Sequence, residues 1–201
     1  MNYPPHPVQF SRRTPVFGRA LVATSHYLAS KAGISVMERG GNAVDAAIAT
    51  AAMLTLVEPT GCGLGSDAFA IIHDGKQLHG LNSSGPSPQG AHRDFYRKLG
   101  GIPERGWHAV TVPGAVAGWA SLSKEFGKLA FEELFDEVVD QAERGFHVTP
   151  VVAHLWHRDA QILRSQPGFE TMFLRQGKAP VPGSLFQQQG MAESFRLIAR
   201  S

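Results

Sequence analysis

The chain has 201 residues, 43% hydrophobic and 18% charged, with 19 basic against 17 acidic residues. That composition supplies enough apolar material for a core and excludes a disordered chain, which needs lower hydrophobicity and a larger net charge. Lys and Arg are scattered rather than gathered in a stripe, so nucleic-acid binding is not expected.

Residues 1–18 hold Pro4, Pro5, Pro7, Arg12, Arg13 and Pro15 and read as an extended N-terminal arm. They have neither the apolar stretch nor the small-residue cleavage site of a secretory signal. Residues 19–201 read as one organised unit of α/β class. Ala20–Ala23 is a short strand candidate. Ser25 is placed to cap a helix whose Leu28, Ala32 and Val36 share one face, and Gly40-Gly41 ends it.

Asn42 is an N-cap signal for the next helix, with Asp45 three residues on at the positive helix end. Ala43–Val57 is apolar on nearly every face, which predicts a buried helix. Asp45, Thr50 and Thr55 interrupt it, and it is too short to span a membrane. Glu58-Pro59 stops it. Ala68–Ile72 is an apolar strand, Asp74-Gly75 a hairpin signal, and Lys76–Leu81 the return strand. His108–Val112 is a third strand candidate. Helices are predicted over Ala115–Phe126, 131–144, Val151–Leu163 and Met191–Arg200, with loop between 165 and 186.

The residues alone offer no convincing nucleophile. Gly61-x-Gly63-x-Gly65 follows a helix and opens a strand, the reverse of a dinucleotide-binding loop; its plain reading is a backbone packed tightly on a neighbour. His154 and His157 lie three apart, but no carboxylate at ligand spacing joins them, so no metal is expected. Cys62 is the single cysteine. It cannot form an internal disulfide, which fits a reducing compartment and a cytoplasmic location. Its expected role is that of a buried, inert thiol. Ser25 and Ser84 lack the Gly-x-Ser-x-Gly elbow of serine hydrolases.

Three blocks carry a resemblance. The first is Ala23-Thr24-Ser25-His26, then Gly33, then Glu38-Arg39-Gly40-Gly41-Asn42-Ala43-Val44-Asp45-Ala46-Ala47. The second runs from Val57-Glu58-Pro59 through Gly61-Cys62-Gly63-Leu64-Gly65 to Phe69. The third is Val112-Pro113-Gly114-Ala115-Val116-Ala117-Gly118-Trp119, extended by Gly145-Phe146-His147-Val148. In this order they resemble the large subunit of γ-glutamyltranspeptidases, from about Arg19 to Arg200.

The resemblance implies a portion of the four-layer αββα sandwich of N-terminal-nucleophile hydrolases. It also implies a precursor that cuts itself into two subunits. In that family a threonine freed at the small subunit's N-terminus attacks the γ-glutamyl amide while its own α-amine takes the proton. Water or an amino acid then accepts the acyl group. The nucleophile belongs to the small subunit, so this chain is expected to hold no catalytic residue, to be inactive alone, and to need that subunit as its partner. The implied substrate is a small-molecule γ-glutamyl amide such as glutathione, with no cofactor and no metal.

The family also clamps the substrate α-carboxylate with an arginine four residues before a proline. Counted back from Pro88, that position is Ser84, with Asn82 beside it; these two are the substrate-binding candidates. Serine lacks the charged fork of arginine, and Leu-Asn-x-Ser-Gly resembles a divergent branch without a signal peptide. Ser84 could equally be an ordinary loop serine. Two rival readings stand beside the transpeptidase: a cephalosporin-acylase-like amidase, and a non-catalytic fragment of the fold that binds a partner. Open strand edges would also favour homo-oligomers.

Overall fold

A computed structural model describes residues 15–201. Residues 1–14 of the expected arm lie outside that range, and residues 15–18 are exposed and in neither helix nor strand.

The core is built around two packed helices, α1 (Tyr27–Glu38) and α2 (Ala43–Val57). Ala29, Ala32 and Val36 of α1 are buried, and α2 buries residues on all sides, as its sequence predicts. Close approach depends on Gly33, where a Cβ would run into the Thr50 hydroxyl and the Ala46 carbonyl. Thr50 in turn donates to the Ala29 carbonyl at 3.2 Å, joining the two helices.

The start of α2 is a full capping box: Asn42 Oδ1 accepts from Val44 and Asp45, and the Asp45 carboxylate accepts from the Asn42 amide. Asp45 also does something its spacing does not announce. It is completely buried and accepts from the amides of Lys128 and Leu129 at 3.0 and 3.3 Å. Asn42 donates to the Phe126 carbonyl at 2.6 Å. The two residues thereby tie the start of α2 to the chain just after α4 (Ala115–Phe126).

Strands β1 (Ala68–His73) and β2 (Leu78–Ser83) form an antiparallel hairpin in which Ala68 faces Ser83 and His73 faces Leu78. The return strand sits two residues later than predicted. Asp74 causes this by accepting from the amides of Lys76 and Gln77, which lengthens the turn. The Gln77 amide, the His79 ring and the Lys76 amide together hold the Asp74 carboxyl down at about 2.

Beyond the hairpin lie α3 (Arg93–Lys98), α5 (Asp136–Arg144), α6 (Pro150–Leu163), α7 (Phe169–Phe173) and α8 (Gln189–Ala199). A second antiparallel pair, β3 (Phe146–His147) with β4 (Leu185–Phe186), closes the far side. Phe135, Phe195, Trp156 and Phe186 fill the layer between these elements and α2, each no more than 1% exposed.

Several expectations are corrected. Ala20–Ala23 is no strand, since no described strand lies beside it to complete a ladder. The cap of α1 is His26; the Ser25 hydroxyl instead donates to Glu58 at 2.6 Å. Residues 131–144 are a 3₁₀ turn (Phe131–Phe135) followed by α5. The segment 165–186 is not all loop, because α7 and β4 lie within it. The strand expected at His108–Val112 is a 3₁₀ turn, Trp107–Ala109, followed by extended chain. Its neighbour carries Pro86 and Pro88, which lack the amides a ladder requires.

The outer face of the hairpin is uncovered: Phe69, Ile71 and Leu78 are 66%, 83% and 70% exposed. Both sheets are only two strands wide among the described residues. Such apolar faces and open edges promote association. Light scattering on the isolated chain is expected to show mass rising with concentration; a constant monomer mass would show that the hairpin face is harmless.

Candidate functional site

The second and third sequence blocks meet where the hairpin hands over to α4. After α2, the amides of Gly61 and Ser66 close two tight turns on the carbonyls of Glu58 and Gly63. The Ser66 carbonyl then accepts from Gly114 and Ala115 at 3.2 and 3.0 Å. No side chain caps α4, so this main-chain contact satisfies two of its free N-terminal donors.

The loop after β2 is held against the same junction. The Ser83 hydroxyl donates to the Gly114 carbonyl at 2.6 Å, and a Cβ on Gly118 would stand 2.8 Å from that of Ser83. Gly85 has φ +75, and any side chain there would collide with the Val112 carbonyl. The Val112 amide donates to Pro86 O at 3.0 Å, and the Thr111 hydroxyl to Ser84 O at 2.9 Å.

Ser84 and Asn82, the predicted binding pair, are brought together: the Ser84 amide donates to Asn82 Oδ1 at 3.0 Å. Ser84 is half-buried and Asn82 is exposed. The hydrogen bonds that fix Ser84 among the described residues run through its backbone amide and carbonyl. Sequence reasoning missed Ser83, Thr111 and the pair Gly114 and Gly118, which hold this loop in place. The signal for the last two was present in the four-residue glycine spacing on α4.

Other candidates fall away. Cys62 is half-buried rather than fully so; burial and the Glu58 charge push its thiol up to about 11, so it stays protonated at neutral pH. The glycines around it do not serve close packing: a Cβ on Gly63 or Gly65 would meet nothing within 4 Å. His154 and His157 are exposed on α6, and no cluster that could hold a metal occurs among the described residues. Among cations near this loop in sequence, Arg93 opens α3 and is exposed, whereas Arg105 pairs with Glu104 at 3.5 Å. A cleft of about 430 Å³ between α5 and α8 is lined by Asp136, Asp140, Glu143 and Arg196, with no serine, threonine or cysteine in its lining.

Helix α2 packed among helices, with a glycine-rich turn leading into a hairpin, is a mixed α/β arrangement, and its likeness to solved acylase and transpeptidase structures makes it part of an N-terminal-nucleophile hydrolase fold. The chain belongs to the gamma-glutamyltranspeptidase family, whose model matches residues 29–201. It is 39% identical over 184 residues to the glutathione hydrolase-like YwrD proenzyme of Bacillus subtilis, a match covering 90% of this chain and 35% of that relative. Among solved structures it is similar to cephalosporin acylase from Bacillus halodurans, with TM-score 0.84 and 37% identity over 96% of this chain and 39% of that one. It is also similar to Helicobacter pylori gamma-glutamyltranspeptidase, with TM-score 0.85 and 28% identity over 94% of this chain and 56% of that one. The chain thus spans about a third of the length of the curated relatives it matches.

Proposed function

We propose that this chain is the large-subunit portion of an autoprocessed amidohydrolase or acyltransferase, acting in the cytoplasm on γ-glutamyl amides such as glutathione. The family match over residues 29–201 carries the reading. In it, the chain supplies the core and the Asn82–Ser84 loop that receives the acyl group. A separate subunit beginning with threonine supplies nucleophile, base and oxyanion donors.

The chain's own threonines support this division of labour. Thr50 and Thr55 are buried and donate to backbone carbonyls, and Thr111 is bonded to Ser84 O. These three hydroxyls are held by carbonyl oxygens and not by a basic side chain. The 201-residue chain is therefore expected to release no p-nitroaniline from γ-glutamyl-p-nitroanilide. A precursor carrying the threonine segment should split into two polypeptides and then turn the substrate over. Turnover by the purified chain alone would overturn the assignment, as would a precursor that neither splits nor hydrolyses any amide.

A second reading is an acylase for groups without an α-carboxylate. It is favoured by the absence of charge at Ser84 and by the similarity to a cephalosporin acylase.

A further inference from the structure

His26 is 2% exposed, yet it is polar on both sides of its ring. Nδ1 accepts from the Leu28 amide at 3.2 Å and so caps α1. An accepting Nδ1 in a neutral imidazole requires the hydrogen on Nε2. That Nε2 is buried with no hydrogen-bond partner among the described residues. The ring stacks on Tyr27, with centroids 4.9 Å apart. Glu58, at the end of α2, is the charged group that acts on it, and its carboxylate is already engaged by the Ser25 hydroxyl.

We propose that His26 is a pH-sensitive latch: neutral, it holds the first turn of α1 closed over α2, and protonated, it releases that turn. The imidazolium carries a hydrogen on both nitrogens. Nδ1 would then point a donor at the Leu28 amide, itself a donor, and the cap would be lost. The charge would also sit in a buried site, offset in part by Glu58. Burial accordingly lowers the His26 pKa, against a smaller upward pull from Glu58.

The direction of the effect follows from linkage. The folded value lies below the ordinary one of about 6.5, so the unfolded chain binds the proton more readily. The stability His26 contributes is complete above about pH 6.5 and is lost as the pH falls toward the folded value. The site affected is the α1–α2 contact beside Glu58, the residue from which the chain turns toward the glycine-rich junction and the Ser84 loop.

The test is hydrogen exchange over residues 27–31 of the chain at pH 7.5 and 5.5, corrected for intrinsic rates. Protection of the first turn should fall on acidification, by at most about tenfold per pH unit for one proton. His26→Asn keeps a capping oxygen that does not titrate and should change less than about twofold. Equal losses in both proteins, or no loss in the wild type, would overturn the latch. Should the variant fail to fold, nitrogen NMR of the wild-type imidazole decides. An Nε2–H tautomer at pH 7.5 that becomes imidazolium only below about 6.5 supports the proposal, whereas an Nδ1–H tautomer or a higher titration point contradicts it.

Discussion

Replacing Asp45 with alanine is expected to lower the stability of the chain by about 3–5 kcal/mol, a loss sized by the value of hydrogen bonds to charged groups and by the cost of orphaned buried donors. The carboxylate is fully buried and serves the amides of Asn42, Lys128 and Leu129. Alanine would leave those three partly buried donors without their acceptor. It would also cut the contact between the start of α2 and the segment after α4. Gly127 lies so close to Asp45 Oδ1 that a Cβ there would approach to 2.9 Å, so little space exists for a substitute group to enter. Since a domain is stable by only about 5–15 kcal/mol, this loss approaches unfolding. Asp45→Asn, which keeps one accepting oxygen, should lose about half as much. Urea titrations of the three proteins measure it. A shift below about 1 kcal/mol for the alanine variant would show that the segment 126–129 finds other partners.

The second large effect concerns acyl-group choice in the complete protein. Arginine meets a carboxylate with two parallel charge-assisted hydrogen bonds of about 1.5–3 kcal/mol each. Ser84 offers one neutral hydroxyl in its place. Binding of γ-glutamyl compounds should therefore be about 10- to 1,000-fold weaker than with an arginine in that position. Simple acyl groups should be spared. Ser84→Arg is expected to raise the ratio of kcat/KM for γ-glutamyl over simple acyl anilides by the same factor. The loop can carry the change, because Asn82, Thr111 and Val112 hold it through main-chain atoms of Ser84 and Pro86. An unchanged ratio would show that Ser84 does not face the α-carboxylate or that another cation does. The exposed Arg93, at the start of α3, is the candidate to replace next.

The elements legible in the sequence were those with a strong local signal. The all-round apolar run of α2, its Asn42 cap, the Asp74-Gly75 turn and the amphipathic faces of α5, α6 and α8 each declare themselves within a few residues. Where local signals were weak or matched two states, the reading failed. Ala20–Ala23 and His108–Val112 have strand composition, but a strand exists only with a partner, and the partners are decided elsewhere in the chain. The loop 82–85 shows the same division: the pairing of Asn82 with Ser84 is a two-residue turn that sequence can suggest, while its anchoring by Ser83, Thr111, Gly114 and Gly118 spans distant positions.

The sequence by itself determined the family and the buried helix α2, because these rest on strings of adjacent residues. Only the tertiary structure decided that Asp45 serves the chain after α4, that Thr111 fixes the Ser84 carbonyl, and that His26 rather than Ser25 caps α1. The physical reason is that hydrogen-bond satisfaction in a core is a non-local condition. A buried donor or acceptor must find a partner wherever the fold brings one, and residues 45 and 128 meet only once the helices between them have packed.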